Sequence, residues 1–337
     1  ALIEAFLDAG PRMVRFLEER TQVRFSARRL APDYHSDADG AAEGGRVMDP
    51  LDFDGRLLGE DFDRLRPPLR EFTLFGGMMI GRADIMPLVG IFRSAANARH
   101  VAGILARHAA DRLRHRRGTR LVLGNALAAR LFRSALDLGV DIRENTPVED
   151  LLVEDGVVAG VVAGWADGRR LVRARRGVVL AGGGFPGAPE RYGRPLPDRH
   201  VSMAPAGNTG DGIALGESAG GLVPRINTND FFWTPVSVLR RPDGTTVRYP
   251  HLFFDRAKPG VIAVNAAGRR FVNEAASYHD FVQGMLSPHE GIANDPAWLV
   301  ADAAFVARWG LGLARPAPFS NRKLRRAGYL LRGRSIE

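Results

Sequence analysis

The chain has 337 residues, a formal net charge of +9 and no cysteine. The last point excludes disulfides, a cysteine nucleophile, Fe–S ligation and covalent haem. Only Lys258 and Lys323 among the 47 basic residues are lysines, which reads as the arginine bias of a GC-rich genome rather than a nucleic-acid footprint.

The first element in chain order is residues 1–20, a helical pattern that Gly10-Pro11 divides into two short helices. It begins without a capping residue, and Ser335-Ile336-Glu337 reads as a helix start, so the chain is expected to be an internal piece of a longer protein. Residues 31–60 are loop-like. A long helical pattern covers 89–117 and ends in Arg112, Arg114, Arg116, Arg117 and Arg120, with no interleaved aromatics to stack bases. A second helix is predicted over 124–138. Its apolar stripe is Leu127, Ala128, Leu131, Phe132, Ala135 and Leu136, and Gly139 is its C-cap.

Short strands follow, punctuated by Asp155-Gly156 and Asp167-Gly168, both hairpin signals. The next apolar run, Gly177 to Ala181, has the pattern of a buried strand. After it Gly182, Gly184 and Gly187 spell G-x-G-x-x-G. A pyrophosphate turn needs a helix there, and Pro186 and Pro189 stand where it would begin. The pattern therefore predicts a glycine-rich strand end that another group approaches closely.

"GNTGDGIALGESAGG", residues 207–221, predicts a helix capped by Asn208 or Thr209 and closed at Gly220-Gly221. It matches the hydrolase G-x-S-x-G, but Ser218 falls in the last helical turn rather than at a strand-to-helix elbow. His35 to Gly40 resembles the start of a calcium loop, yet its first position is His and its twelfth is Arg46. No histidine spacing suggests another metal site. Residues 222–337 mix short strands and helices, including a hairpin with a tight turn at Ala266-Ala267-Gly268. No apolar run reaches the roughly 18 residues that span a bilayer.

"GVVLAGGGF", "GNTGDGIALGESAGG" and "VNAAGRRFVNEAASYHDFV", in that order and with those gaps, resemble the flavoprotein family of fumarate reductase, succinate dehydrogenase and 3-ketosteroid dehydrogenase. "GNALAARLFRSALDLGVDIRENTPVEDLLVEDGVVAGV" is similar as well, so the resemblance covers nearly the whole chain. It implies an α/β fold, α+β overall. Residues 1–222 would be part of a Rossmann-like FAD-binding domain with an antiparallel meander, and 223–337 part of an α+β substrate-capping domain. The implied cofactor is FAD. Val148, Ala181, Gly182, Gly183, Asn208, Thr209, Gly210 and Asp211 are the implied contacts.

Fumarate reductases in this family clamp a dicarboxylate with charged donors. The matching positions here are Phe253, Phe254 and Thr234, and Tyr278 replaces the proton-shuttle arginine. Each change favours an apolar substrate. Tyr278 matches the catalytic tyrosine of the 3-ketosteroid dehydrogenases. Tyr34, in "PDYH" ahead of Gly44-Gly45-Arg46, matches their second active-site tyrosine. The resemblance thus implies a bacterial, cytoplasmic, FAD-dependent dehydrogenase. Its substrate is a bulky apolar ketone, desaturated beside the carbonyl, and its electron acceptor is left unnamed. The alternatives are a fumarate reductase-like reductase of a dicarboxylate or other enoate and, in another class, a basic nucleic-acid-binding protein.

Overall fold

The computed structural model describes residues 2–192, 196–223, 231–252 and 255–335. By packing, the chain forms two compact units, residues 1–140 with 233–337, and residues 141–232. This differs from the division at 222/223 expected from sequence. Phe72 stacks on Tyr249, and Tyr34 meets Tyr278. Pairings between such distant stretches leave no mark in composition or periodicity.

The first unit opens with α1 (Leu2–Arg20), which runs unbroken through Gly10-Pro11. Proline normally bars the preceding residue from the helical region by a clash with its Cβ, and Gly10 has none. The helix keeps Leu2, Ile3, Phe6, Leu7 and Phe16 exposed. Strand β1 (Phe25–Ala27) pairs with β2 (Met48–Pro50), and the loop between them carries Tyr34.

Next come β3 (Phe53–Asp54), β4 (Thr73–Leu74) and β5 (Met78–Met79). The helix expected over 89–117 starts later, as α3 (Ala95–Arg112), and α2 (Arg82–Val89) precedes it. The later start is chemical: the Ser94 hydroxyl accepts from Ala96 N–H and starts a new helix. Of the basic cluster that follows, Arg117 turns inward. Its guanidinium lies over Phe62 at 4.4 Å and donates to the carbonyls of Phe62 and Leu65.

β6 (Arg120–Leu121) pairs with β3 and leads into α4 (Leu123–Asp137). Here sits the main core: Phe53, Leu58, Phe62, Leu121, Ala126 and Ala129, flanked by Leu65, Met79, Phe132 and Leu136. A fully buried large side chain of this kind contributes about 2 kcal/mol. The buried face of α4 is rotated from the predicted stripe, with Ala126 and Ala129 innermost and Leu131 exposed. Alanines let the helix approach the two phenylalanines closely, which larger residues would prevent. Gly139 ends α4 at φ +66, as predicted.

The second unit holds a meander of β7 (Val148–Glu154), β8 (Val157–Trp165) and β9 (Gly168–Arg173). Asp155 and Gly156 both take positive φ at the first turn, as a tight hairpin demands. Residues 177–181, expected as a buried strand, form none, and Val179 is 90% exposed. An extended run becomes a strand only when another backbone completes its ladder, and no described strand lies beside this one. Helix α5 (Asp211–Ser218) follows; its N-cap is Gly210 at φ 80, not Asn208 or Thr209. Thr209 Oγ1 donates instead to Asp211 Oδ1 at 2.9 Å.

The first unit resumes with a hairpin of β10 (Val236–Arg240) and β11 (Thr246–Pro250). β12 (Val261–Val264) then pairs with β13 (Trp298–Ala301), with α6 (Tyr278–Leu286) between them in sequence. α7 (Ala303–Trp309) and α8 (Arg322–Arg326) complete it. Every described strand pair is antiparallel. No described helix is long and apolar enough to cross a membrane.

Candidate functional site

Two clusters collect the residues singled out by sequence, one in each unit. In the first unit, the loop after β1 is held by short polar ties. The Arg28 guanidinium forks onto Asp49, at 2.6 Å from Nε to Oδ2. Asp33 Oδ2 accepts from Ala42 N–H at 2.9 Å and from Arg46. A side chain at Gly44 would collide with the Arg29 carbonyl, so the "GGR" turn needs glycine there. These ties present Tyr34 at the loop's end.

Tyr278 is the first residue of α6. Ser277 caps that helix through the N–H of Asp280 at 3.1 Å, and its own hydroxyl donates to Asp280 Oδ2. The Tyr34 and Tyr278 rings meet edge to face, with centroids 5.4 Å apart and an interplanar angle of 79°. Partial burial and a hydrogen bond to Tyr278 push the Tyr34 phenol up to about 12, against the pull of Arg28 and Arg256. Tyr34 therefore keeps its proton at neutral pH, within hydrogen-bonding reach of Tyr278. Beside the pair, His35 Nε2 lies 3.7 Å from Asp280 Oδ2. His279 faces elsewhere: its Nδ1 accepts the Trp233 N–H at 3.2 Å.

Of the predicted substrate-facing residues, Thr234 is half-buried immediately before buried Pro235. Phe253 and Phe254 lie outside the described residues. Sequence reading missed the polar group next to them. Arg256 is 1% exposed and donates to the carbonyls of His251 (2.9 Å), Ala276 (2.7 Å) and Glu274. Asp255 Oδ2 takes His251 Nδ1 at 2.7 Å and Gly312 N–H at 3.1 Å. Burial opposes its charge, but those hydrogen bonds prevail and hold the carboxyl below its usual value. His251 Nε2 reaches Ser237 Oγ at 2.8 Å, which in turn meets the Tyr329 hydroxyl at 2.5 Å. The one sequence signal was an Asp-Arg pair set into an apolar run.

In the second unit the two glycine stretches converge. Gly210 N–H donates to the Gly184 carbonyl at 3.1 Å, and Gly187 N–H to the Asn208 carbonyl at 2.8 Å. A Cβ on Gly183 would stand 3.0 Å from Asn208 Oδ1, and one on Gly210 would stand 2.9 Å from Phe185 Cβ. Ala181, Gly182, Gly183 and Gly184 are all exposed. Val148 begins β7, against which α5 lies. Bare backbone next to the start of α5 fits a flat, phosphorylated group, because helix N–H dipoles favour anions and glycine allows close approach. The structure thus brings Ala181–Gly183 and Asn208–Asp211 into one patch.

The sequence matches the family described as "FAD binding domain" over residues 1–325. The chain belongs to this family. Its cofactor is FAD, and the residues that converge at the glycine patch are of the kind such a cofactor requires. It is 36% identical to the 4-oxocyclohex-2-ene-1-carboxylate 5-dehydrogenase of Sinomonas cyclohexanicum, over 99% of this chain and 57% of that protein. It is 31% identical to a 3-oxosteroid 1-dehydrogenase of Mycobacterium tuberculosis, over 91% of this chain and 55% of that one. Among solved structures it is similar to the 3-ketosteroid delta1-dehydrogenase of Sterolibacterium denitrificans in complex with 1,4-androstadiene-3,17-dione. That likeness has a TM-score of 0.79 and 30% identity, covering 94% of this chain and 58% of the other, and it shows the same mixed α/β fold. The chain spans little more than half the length of these relatives.

Proposed function

We propose that the protein bearing this chain is an FAD-dependent dehydrogenase of cyclic ketones, which removes two hydrogens from adjacent carbons beside the carbonyl. The observation that carries this is the Tyr34–Tyr278 pair, in which one phenol holds its proton against the other's oxygen. Tyr278 oxygen, as phenolate, takes the acidic proton from the carbon next to the carbonyl. Tyr34 keeps that phenolate in place by donating to it. A bound FAD would supply the acceptor for the hydride leaving the neighbouring carbon, so that a C=C bond would remain. Ala181, Gly182, Gly183, Val148, Asn208, Thr209, Gly210 and Asp211 are the proposed FAD contacts. Phe253, Phe254 and Thr234 are proposed to face the ring.

The relatives supply the substrate class. The names of the three relatives share a cyclic ketone, as a steroid in two and as an oxocyclohexene carboxylate in the third. We take a bulky apolar 3-ketosteroid as substrate, and the smaller ring ketone carrying a carboxylate as the second reading, favoured by the higher identity of that relative. Parallel turnover of both by the flavin-loaded protein decides between them. The electron acceptor is a separate small molecule or protein, and the compartment proposed is the bacterial cytoplasm.

The experiment that tests the base is Tyr278→Phe, with flavin reduction by a cyclic ketone followed in a single turnover. Loss of a general base lowers the rate by roughly 10²–10⁴-fold with little change in KM. A variant that reduces its flavin at the parental rate removes Tyr278 from the chemistry.

A further inference from the structure

We infer that Arg256 is a positioning residue for Tyr278, holding the turn that presents it and supplying the positive charge that favours its phenolate. The inference rests on the reading of Tyr278 as the base. Its grounds are geometric. Arg256 donates through Nη1 to the carbonyls of Glu274 and Ala276, the residues leading into the Ser277 cap of α6. Its Cζ lies 4.9 Å from the centroid of Phe281, one turn further along the same helix. The guanidinium thus grips both the approach to Tyr278 and the helix behind it.

The charge on Arg256 is poorly neutralised. Asp255 is its neighbour, yet that carboxylate is engaged elsewhere, through Oδ2 with His251 and Gly312 and through Oδ1 with the Arg256 backbone N–H. Among the described residues the Arg256 guanidinium donates only to carbonyls, its face lies on Phe281, and Nη2 is buried without a hydrogen-bond acceptor. An unsatisfied donor on a nearly fully buried guanidinium is costly and calls for a reason. Burial lowers the Arg256 pKa to about 10, still charged at neutral pH, and its field reaches Tyr34.

Other charged groups also face the pair. Arg28 pulls on Tyr34 ahead of Arg256, but its fork is bound to Asp49. Asp280 binds the Ser277 hydroxyl and faces His35, and as an anion it disfavours a phenolate. Glu274 is bound by Arg270 and by Ala263 N–H. Arg256 is therefore the cation bound directly to the turn and helix that carry Tyr278.

The test uses the flavin-loaded protein with Arg256→Gln and Arg256→Lys, and Tyr278→Phe in parallel. Single-turnover flavin reduction is followed against pH, and tyrosinate absorbance in the near ultraviolet gives a readout without turnover. In Arg256→Gln the limb that reports the base, and the matching tyrosinate step, should move up by about 1–2 pH units. KM should stay within about twofold. Arg256→Lys keeps a cation but loses the fork, so its limb should stay near the parental position while the rate falls about tenfold. If Tyr278→Phe abolishes reduction while Arg256→Gln keeps the parental pH profile, only this inference fails. If Tyr278→Phe reduces flavin normally, the base reading fails and takes this one with it. Equal displacement of the limb in both Arg256 variants would overturn the electrostatic role. Failure of both variants to fold would assign Arg256 to the scaffold and overturn the inference as well.

Discussion

At the scale of single residues, the chemistry depends on which proton stays where. Tyr34 is pushed up to about 12 and hydrogen-bonds Tyr278, to which the proposed mechanism has it donate. Tyr34→Phe should therefore leave Tyr278 a weaker acid and slow flavin reduction at neutral pH by roughly 10–100-fold. The ascending limb that reports the base should shift upward while KM changes little; an unmoved limb would show that Tyr34 only packs. Asp255 gives a second prediction, about stability. Its folded pKa is depressed, so its contribution is present above the ordinary carboxylate pKa of about 4 and is lost as pH falls through the lower folded value. Asp255→Asn should flatten that acid limb of Tm against pH. It should also destabilise at neutral pH by about 3 kcal/mol, since it breaks a buried pair. An acid limb as steep as the parent's would locate acid sensitivity elsewhere.

At the scale of elements, the site hangs on how helices begin. α6 starts at a serine cap, and Ser277→Ala should cost about 1 kcal/mol by thermal melting. The larger consequence is for Tyr278, the next residue, whose frayed turn should show as a lower kcat at unchanged flavin content. α5 starts at a glycine instead, because Gly210 holds φ 80 and a Cβ there would stand 2.9 Å from Phe185 Cβ and 3.0 Å from Arg191 Cδ. Sequence reading assigned this cap to Asn208 or Thr209, whose side chains have the usual chemistry. What it could not see is that the preceding turn is left-handed, a conformation that side-chain oxygens do not announce. Gly183→Val would drive a branched side chain into Asn208, and FAD affinity should fall at least tenfold with the fold intact by circular dichroism. Retained affinity would remove the glycine patch from the cofactor site.

At the scale of the whole molecule, two compact units carry the two clusters, the tyrosine pair in residues 1–140 with 233–337 and the glycine patch in 141–232. The arginine excess fits neither a nucleic-acid groove nor a dicarboxylate clamp. Arg117 is buried over Phe62, Arg120 binds Asp52 and Asp84, and Arg28 binds Asp49. If Phe253, Phe254 and Thr234 face the substrate as proposed, they offer fumarate no charged partner for either carboxylate, and leaving such charges unpaired costs several kcal/mol. The flavin-loaded protein should therefore show no fumarate reduction with reduced dyes. Robust fumarate turnover would promote the dicarboxylate reading over the ketone one.

Local signals carried a large part of this protein. The hairpin at Asp155-Gly156, the cap at Gly139 and the turn at Gly268 follow from what those residues allow their own backbone to do. The ordered glycine and "FVNE" stretches led to the FAD family, because a cofactor that touches backbone selects for glycine at fixed places. Tyr34 and Tyr278 were named from the same resemblance. Tertiary structure decided what depends on distant partners. Gly177 to Ala181 reads as a strand but pairs with nothing described, since a ladder needs a second backbone. The buried face of α4 follows the close approach of Phe53 and Phe62, not the largest side chains of its own stripe. Arg256 became visible only when the chain folded its carbonyl partners around it, for nothing in a sequence marks a charge as buried until the groups that bury it are in place.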